Sequence, residues 1–173
     1  MLVDEWIRTH RALDRDEALG ELALRYFTSH GPATLADLSR WVKLPQRDLK
    51  IGLGLVAKQL VARDGMYMAP ELAVPKTAAK TCVLLPGFDE LVLGYADRTA
   101  TLDAAHEARI VPGGNGVFKA TIVVGGRVIG TWKRTAKAKE NVVEPTLWGA
   151  KPTQLATAVA AYARFLGKPT RLA

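Results

Sequence analysis

Residues 45–69 read PQRDLKIGLGLVAKQLVARDGMYMA, and the hydrophobic period changes partway along them. Leu49, Leu53, Val56 and Leu60 recur at three- and four-residue spacing, one apolar side of a helix. Pro45 suits the first turn of that helix, where no amide donor is needed. From residue 60 the period shortens. Residues 60–63 and 66–69 read as strands joined by Asp64-Gly65, a tight hairpin turn, and Pro70 ends the unit.

Upstream, Leu19, Leu22, Ala23, Tyr26 and Phe27 form one face of a helix over residues 16–30, stopped by Gly31-Pro32. TLAD at 34–37 reads as a capping box opening a second helix, with Leu35, Leu38, Trp41 and Val42 on its buried side. Three helices and then a hairpin within residues 16–70 is the order of a winged helix. No second copy of the pattern supports a helical repeat. Residues 1–15 are charged and weakly periodic, consistent with a short helix or an entry segment.

Downstream, residues 71–80 read as a linker and CVLL at 82–85 as a buried strand. Residues 88–95 fit a short helix or a strand, and 103–109 a short helix. Residues 117–124 and 127–133 predict strands joined by Gly125-Gly126, and 141–148 predicts a third. The connection 134–140 is basic and expected to be exposed. A closing helix over 152–166 turns Leu155, Val159, Tyr162 and Leu166 to the sheet, ending at Gly167 and Pro169. The fold class is α+β: a winged helix (16–70), a linker (71–80), then an antiparallel β-rich domain with a C-terminal helix (81–173).

The 173 residues carry 24 Lys and Arg against 17 Asp and Glu, and 49% are apolar. That apolar share supplies a core and excludes global disorder. No apolar run nears the roughly 20 residues of a membrane span. Residues 1–8 mix charge too freely for a secretion signal. A cytoplasmic location is expected. Cys82 is the sole cysteine, which excludes intramolecular disulfides and Cys-rich zinc sites.

The basic surplus is uneven. Residues 1–75 hold 10 basic and 10 acidic side chains, whereas residues 76–173 hold 14 and 7. Such a surplus favours phosphate backbones, with duplex DNA the expected partner; a merely solvated surface is the competing reading. On the third helix, at about 100° per residue, Arg47, Lys50, Gly54 and Lys58 cluster opposite the leucine stripe. Ile51 near that side, with Gly52 and Gly54 costing about 1 kcal/mol each relative to Ala, predicts that another segment packs on this helix. Arg63 stands at the first hairpin's tip, opposed by Asp64. Arg127, Lys133, Arg134, Lys137 and Lys139 place five cations in 13 residues with no acid before Glu140, the stronger candidate for phosphate contact.

Catalytic material is sparse. Ser29 and Ser39, the only serines, fall in helices or at their ends. His10, His30 and His106 have no metal-ligand spacing. His30 suits a helix C-terminus, and Cys82 reads as a core thiol. PGGNG at 112–116 lacks the Gly-Lys-Ser/Thr ending of a phosphate loop and leads into a predicted strand, so it reads as a turn needing positive φ. Asp89-Glu90 is an adjacent acidic pair and is kept as an alternative site. No cofactor or catalytic residue is assigned.

Five segments in fixed order carry a family resemblance: HGPATLAD at 30–37 with Trp41, LLPGFDE at 84–90, YADR at 95–98, VPGGNGVF at 111–118 and VIGTW at 128–132. Across roughly residues 16–166 the chain resembles the bacterial winged-helix DNA-binding-domain protein family that includes the crosslink-unhooking DNA glycosylases. The resemblance implies further winged-helix units upstream and a β-rich C-terminal domain. It also implies that the glycosylase branch keeps its catalytic pair in that upstream region, in a Gln-apolar-Asp or Gln-apolar-Gln motif. Gln46-Arg47-Asp48 is the only similar string here. Its charged middle residue makes it a coincidence. The expected function is DNA binding, mainly through the backbone, without catalysis by this chain alone. The alternatives are part of a DNA-repair glycosylase acting on alkylated or crosslinked DNA, and a protein-interaction module.

Overall fold

In the computed structural model, residues 7, 11–72 and 76–173 are described. His10, most of the segment 1–15, and residues 73–75 of the expected linker lie outside them. The chain forms two compact units, residues 1–72 and 73–173.

The first unit begins with helix α1 (Arg15–His30). Asp14 Oδ1 accepts the Glu17 amide at 2.8 Å, and Glu17 Oε2 accepts the Asp14 amide at 3.1 Å, a reciprocal cap. Strand β1 (Ala33–Thr34) leads into α2 (Leu35–Val42), where Thr34 and Asp37 form the predicted capping box. Asp37 is buried, but its Oδ2 accepts both the Thr34 amide and hydroxyl, so its burial is compensated. Helix α3 (Gln46–Val56) follows Pro45. Strands β2 (Val61–Arg63) and β3 (Met66–Met68) form the hairpin. Asp64 (φ 51°) and Gly65 (φ 76°) both adopt the left-handed conformation that a two-residue turn requires. Phe27, Leu38 and Leu49 are fully buried, worth about 1.5–3 kcal/mol each over exposure.

Four expectations for this unit need correction. The third helix stops at Val56, and residues 57–59 tighten into a 3₁₀ turn, so Lys58 lies beyond the α-helix. Trp41 is 44% exposed and leans on the rings of Tyr26 and His30 instead of entering the core. β1 pairs with β3 in a sheet of order β1-β3-β2, a contact of two residues with too little pattern to read. The inferred packing on α3 holds only for Gly52. A Cβ there would lie 2.3 Å from the Leu19 carbonyl of α1, whereas one on Gly54 would meet nothing and Ile51 is exposed.

The second unit is a five-stranded sheet of order β4-β5-β6-β7-β8. Its strands are β4 (Cys82–Leu85), β5 (Thr121–Val124), β6 (Arg127–Ala136), β7 (Asn141–Leu147) and β8 (Thr170–Leu172). Between them lie the short helices α4 (Glu90–Leu93) and α5 (Glu107–Ile110) and the longer α6 (Leu155–Leu166). Gly125 (φ 57°) and Gly126 (φ 82°) make the predicted turn. A bulge on β6 opposite Ile122 and Val123 reverses the side-chain alternation. Trp132 therefore joins Cys82, Ile122, Val143, Leu155 and Val159 under α6, while Val128 joins Val92, Leu102, Ile110 and Val123 on the other face. With both faces covered, β5 reads as an unbroken apolar run.

Here too the structure amends the sequence reading. Residues 117–120 are irregular, and β5 begins only at Thr121. β6 runs on to Ala136, so Arg134 is a strand residue paired with Val143 and not part of the connection, while Lys133 pairs with Glu144 within the strand the sequence predicts. α6 starts at Leu155 rather than 152. β8 was not predicted, and it runs parallel to β7 in an otherwise antiparallel sheet. Glycines 113, 114 and 116 adopt positive φ, as a turn at 112–116 requires.

Candidate nucleic-acid interface

The predicted cations differ sharply in what already holds them. Arg47 is 85% exposed at its side chain, with Nε 3.6 Å from Asp48 Oδ1. Asp48 also pairs with Arg15 at 3.0 Å, and this hydrogen-bonded carboxylate raises the Arg15 pKa further. Lys50 and Lys58 are exposed and make no hydrogen bond or ion pair among the described residues. Arg63 at the hairpin tip pairs with Asp64 at 3.5 Å, so its charge is partly answered. Ile51 and Leu55 are exposed on the same helix, leaving α3 a mixed apolar and basic surface.

On the β-rich unit the five predicted cations separate into two sets. Arg127 donates from Nη1 to the carbonyls of Thr99 and Ala100, both at 3.2 Å. Arg134 donates to the Tyr162 hydroxyl at 3.4 Å. Arg127 is drawn onto its own unit, whereas Arg134 leans on a neutral hydroxyl that leaves its charge unanswered. Lys133, Lys137 and Lys139 are exposed, and their ammonium groups have no partner among the described residues. The turn bearing the last two is braced. The Lys137 amide donates to the Glu140 carbonyl at 2.9 Å, and Lys168 Nζ donates to the Lys137 carbonyl at 2.7 Å. Arg171 of β8 clasps Glu140 at 3.2 Å, which answers the acid that follows Lys139 in the chain, and Glu144, across from Lys133, accepts the Thr135 hydroxyl at 2.6 Å. The sequence reading missed Lys168 and Arg171 because β8 was not foreseen.

The alternative chemical sites have structural employment. Asp89 caps α4, its Oδ1 accepting the Leu91 amide at 2.9 Å. Glu90 starts the helix. Arg98, in the YADR segment, donates to the Val92 carbonyl at 2.6 Å, pairs with Glu107 at 2.9 Å and lies over Phe118. Ser29 and Ser39 donate to the carbonyls of Arg25 and Leu44. His30 ends α1, as its charge preference suggests, stacked on Tyr26. Burial pushes the Cys82 thiol pKa up, as for a core thiol. His106 packs against Trp148 with the rings tilted by 43°, and among the described residues no group of three His, Cys, Asp or Glu could hold a metal ion. No helix among them is long and apolar enough to cross a membrane.

Comparison with known proteins agrees with this fold. The chain is 27% identical over 128 residues to the interstrand DNA cross-link repair glycosylase of Streptomyces sahachiroi, covering 68% of this chain and 34% of that protein. It superposes on the solved S. sahachiroi DNA glycosylase AlkZ with a TM-score of 0.75 at 23% identity, covering 97% of this chain and 49% of that one. The chain thus spans about a third to a half of the relatives it matches. The structural likeness accords with the α+β architecture described above. The family model for AlkZ-like DNA glycosylases matches residues 2–165, nearly the whole chain, and the protein belongs to that family.

Proposed function

We propose that this chain is the DNA-gripping portion of a DNA-repair glycosylase acting on alkylated or crosslinked DNA. The family match over residues 2–165 supports the repair role. The observation that carries the grip is the set of unpartnered lysines, Lys133, Lys137 and Lys139, on and beside β6. Ammonium groups on flexible stems neutralise phosphates without reading bases, so binding is to the duplex backbone and falls steeply with salt. The N-terminal unit adds a winged-helix contact through Lys50, Lys58 and Arg47. In a bacterium carrying this gene, deletion should raise sensitivity to a bifunctional alkylating agent. The wild-type gene should restore resistance, and a variant with the three lysines replaced by alanine should restore less. Unchanged sensitivity on deletion would refute the repair role.

A specific observation separates grip from chemistry. The only string resembling the family's catalytic motif, Gln46-Arg47-Asp48, spends its carboxylate on Arg15 and Arg47. Asp48 therefore serves as a structural anion, and this portion alone does not release bases. Base release from alkylated duplex by the 173-residue chain, lost on Asp48→Asn, would overturn that assignment.

A further inference from the structure

A groove of about 760 Å³ opens between β4 and α6 in the β-rich unit. Its volume lies in the range of small-ligand sites. Ala158 and Ala161 line the helix side, where larger aliphatic side chains would have filled the space. Trp132, Tyr162 and Phe165 form an aromatic wall. Trp132 is fixed by its Nε1 donating to the Leu85 carbonyl at 2.9 Å, and it meets Tyr162 edge-on, with centroids 5.0 Å apart. Phe165 lies nearly parallel to Tyr162, at 17°, and is 84% exposed. Isolated exposed aromatics need no explanation, but this one stands at the rim of an apolar groove and continues an ordered ladder of rings. The one charged residue lining the groove is Arg134, held at the Tyr162 hydroxyl.

We infer that this groove takes an unpaired base of a DNA strand, stacked on Phe165, with Arg134 at its phosphate. The inference rests on the DNA-binding reading above and extends it from backbone to base. Three features favour this occupant. The aromatic wall suits a flat ring system, because every base has a face that stacks. The groove's only charge is positive, so a phosphate-linked ligand is complementary and a cationic one is not. Past Arg134, β6 runs into the turn that bears Lys137 and Lys139, so further cations follow along the same strand, whereas Lys133 points to the sheet's other face. A purely apolar partner, such as a second copy of this chain, would gain nothing from the guanidinium or the lysines.

The test compares single strands of equal length with and without bases, using oligothymidylate and an abasic strand, against a duplex, with the full chain. Wild type should bind oligothymidylate more tightly than the abasic strand, with quenching of tryptophan fluorescence. Phe165→Ala should weaken oligothymidylate binding about 5- to 100-fold more than it weakens duplex binding. Ala161→Leu, which fills the groove while keeping every ring and charge, should have the same selective effect. Arg134→Gln should weaken both single strands. Equal wild-type affinity for both single strands, with salt-dependent duplex binding retained, overturns this inference alone. Loss of all DNA binding at low salt overturns the underlying reading as well. Concentration-dependent self-association abolished by Phe165→Ala, without base dependence, assigns the groove to a second copy and overturns the inference.

Discussion

Replacing Lys133, Lys137 and Lys139 together by alanine should flatten the salt dependence of duplex binding more than any comparable change on α3. These three ammonium groups have no internal partner, whereas Arg127 and Arg134 on the same strand are engaged by carbonyls and by Tyr162. Each phosphate neutralised contributes about 0.9 to the slope of log affinity against log salt. Three contacts give a slope of about 2.7, which is roughly 40-fold in affinity between 50 and 200 mM salt. The corresponding triple change of Arg47, Lys50 and Lys58 removes two free charges and one already shared with Asp48 at 3.6 Å, so its loss should be nearer 1.8, or about 12-fold over the same range. Fluorescence anisotropy with labelled duplexes of unrelated sequence measures both, after circular dichroism has shown that each variant is folded. Wild-type affinity should lie at roughly 10⁻⁴–10⁻⁶ M at physiological salt. A larger loss of slope in the helix variant would show that α3 is the main backbone contact. No loss in either would remove both surfaces from DNA binding.

Two glycines two residues apart, on opposite sides of α3, should respond with opposite sign. Gly52→Ala places a Cβ 2.3 Å from the Leu19 carbonyl and should cost about 1–3 kcal/mol or more, while Gly54→Ala meets nothing and should gain about 0.5–1 kcal/mol, both read by denaturant unfolding. Cys82, buried with its pKa raised, should be alkylated slowly in the native chain and rapidly in denaturant; fast native labelling would contradict its place under α6. Glu21, held low chiefly by its hydrogen bond from Arg25, and Asp97, held low by the Thr99 amide, contribute stability present above the ordinary carboxylate range. Thermal stability should therefore decline modestly as pH falls below that range, and a rise on acidification would refute the assignment.

What could be read in advance follows the range of the interactions. The Thr34–Asp37 box, the Asp64-Gly65 turn and the Gly125-Gly126 turn are written by neighbouring residues, and all stand where the sequence puts them. β1 and β8, of two and three residues, exist only through partners distant in sequence, so no local pattern announces them. Arg134 looks like a loop residue by composition, yet pairing with Val143 of β7 carries it into the sheet. The groove had one available signal. In the 155–166 helix the core stripe runs Leu155, Val159, Tyr162, Leu166, and Phe165 falls off it while the intervening positions are mostly alanine. An aromatic outside the stripe of an otherwise small-residue helix marks a surface that the core does not use.

The division of labour between the two basic residue types accounts for the kind of binding this portion can support. Of the six arginines in residues 76–173, five are committed internally: Arg98, Arg127, Arg134 and Arg171 to hydrogen bonds, and Arg109 over Trp148. Of the eight lysines in the same span, only Lys168 engages its ammonium group in a hydrogen bond among the described residues. A planar guanidinium is the group suited to a fixed two-point contact with a base edge, and the fold has committed three of the six to its own carbonyls and carboxylates. What it leaves outward are point charges on flexible stems, which hold phosphates of any sequence. A repair enzyme must scan mostly undamaged DNA. Under the proposed function, a lysine-borne grip beside an aromatic-walled groove separates holding the strand from sensing a base that has left its stack.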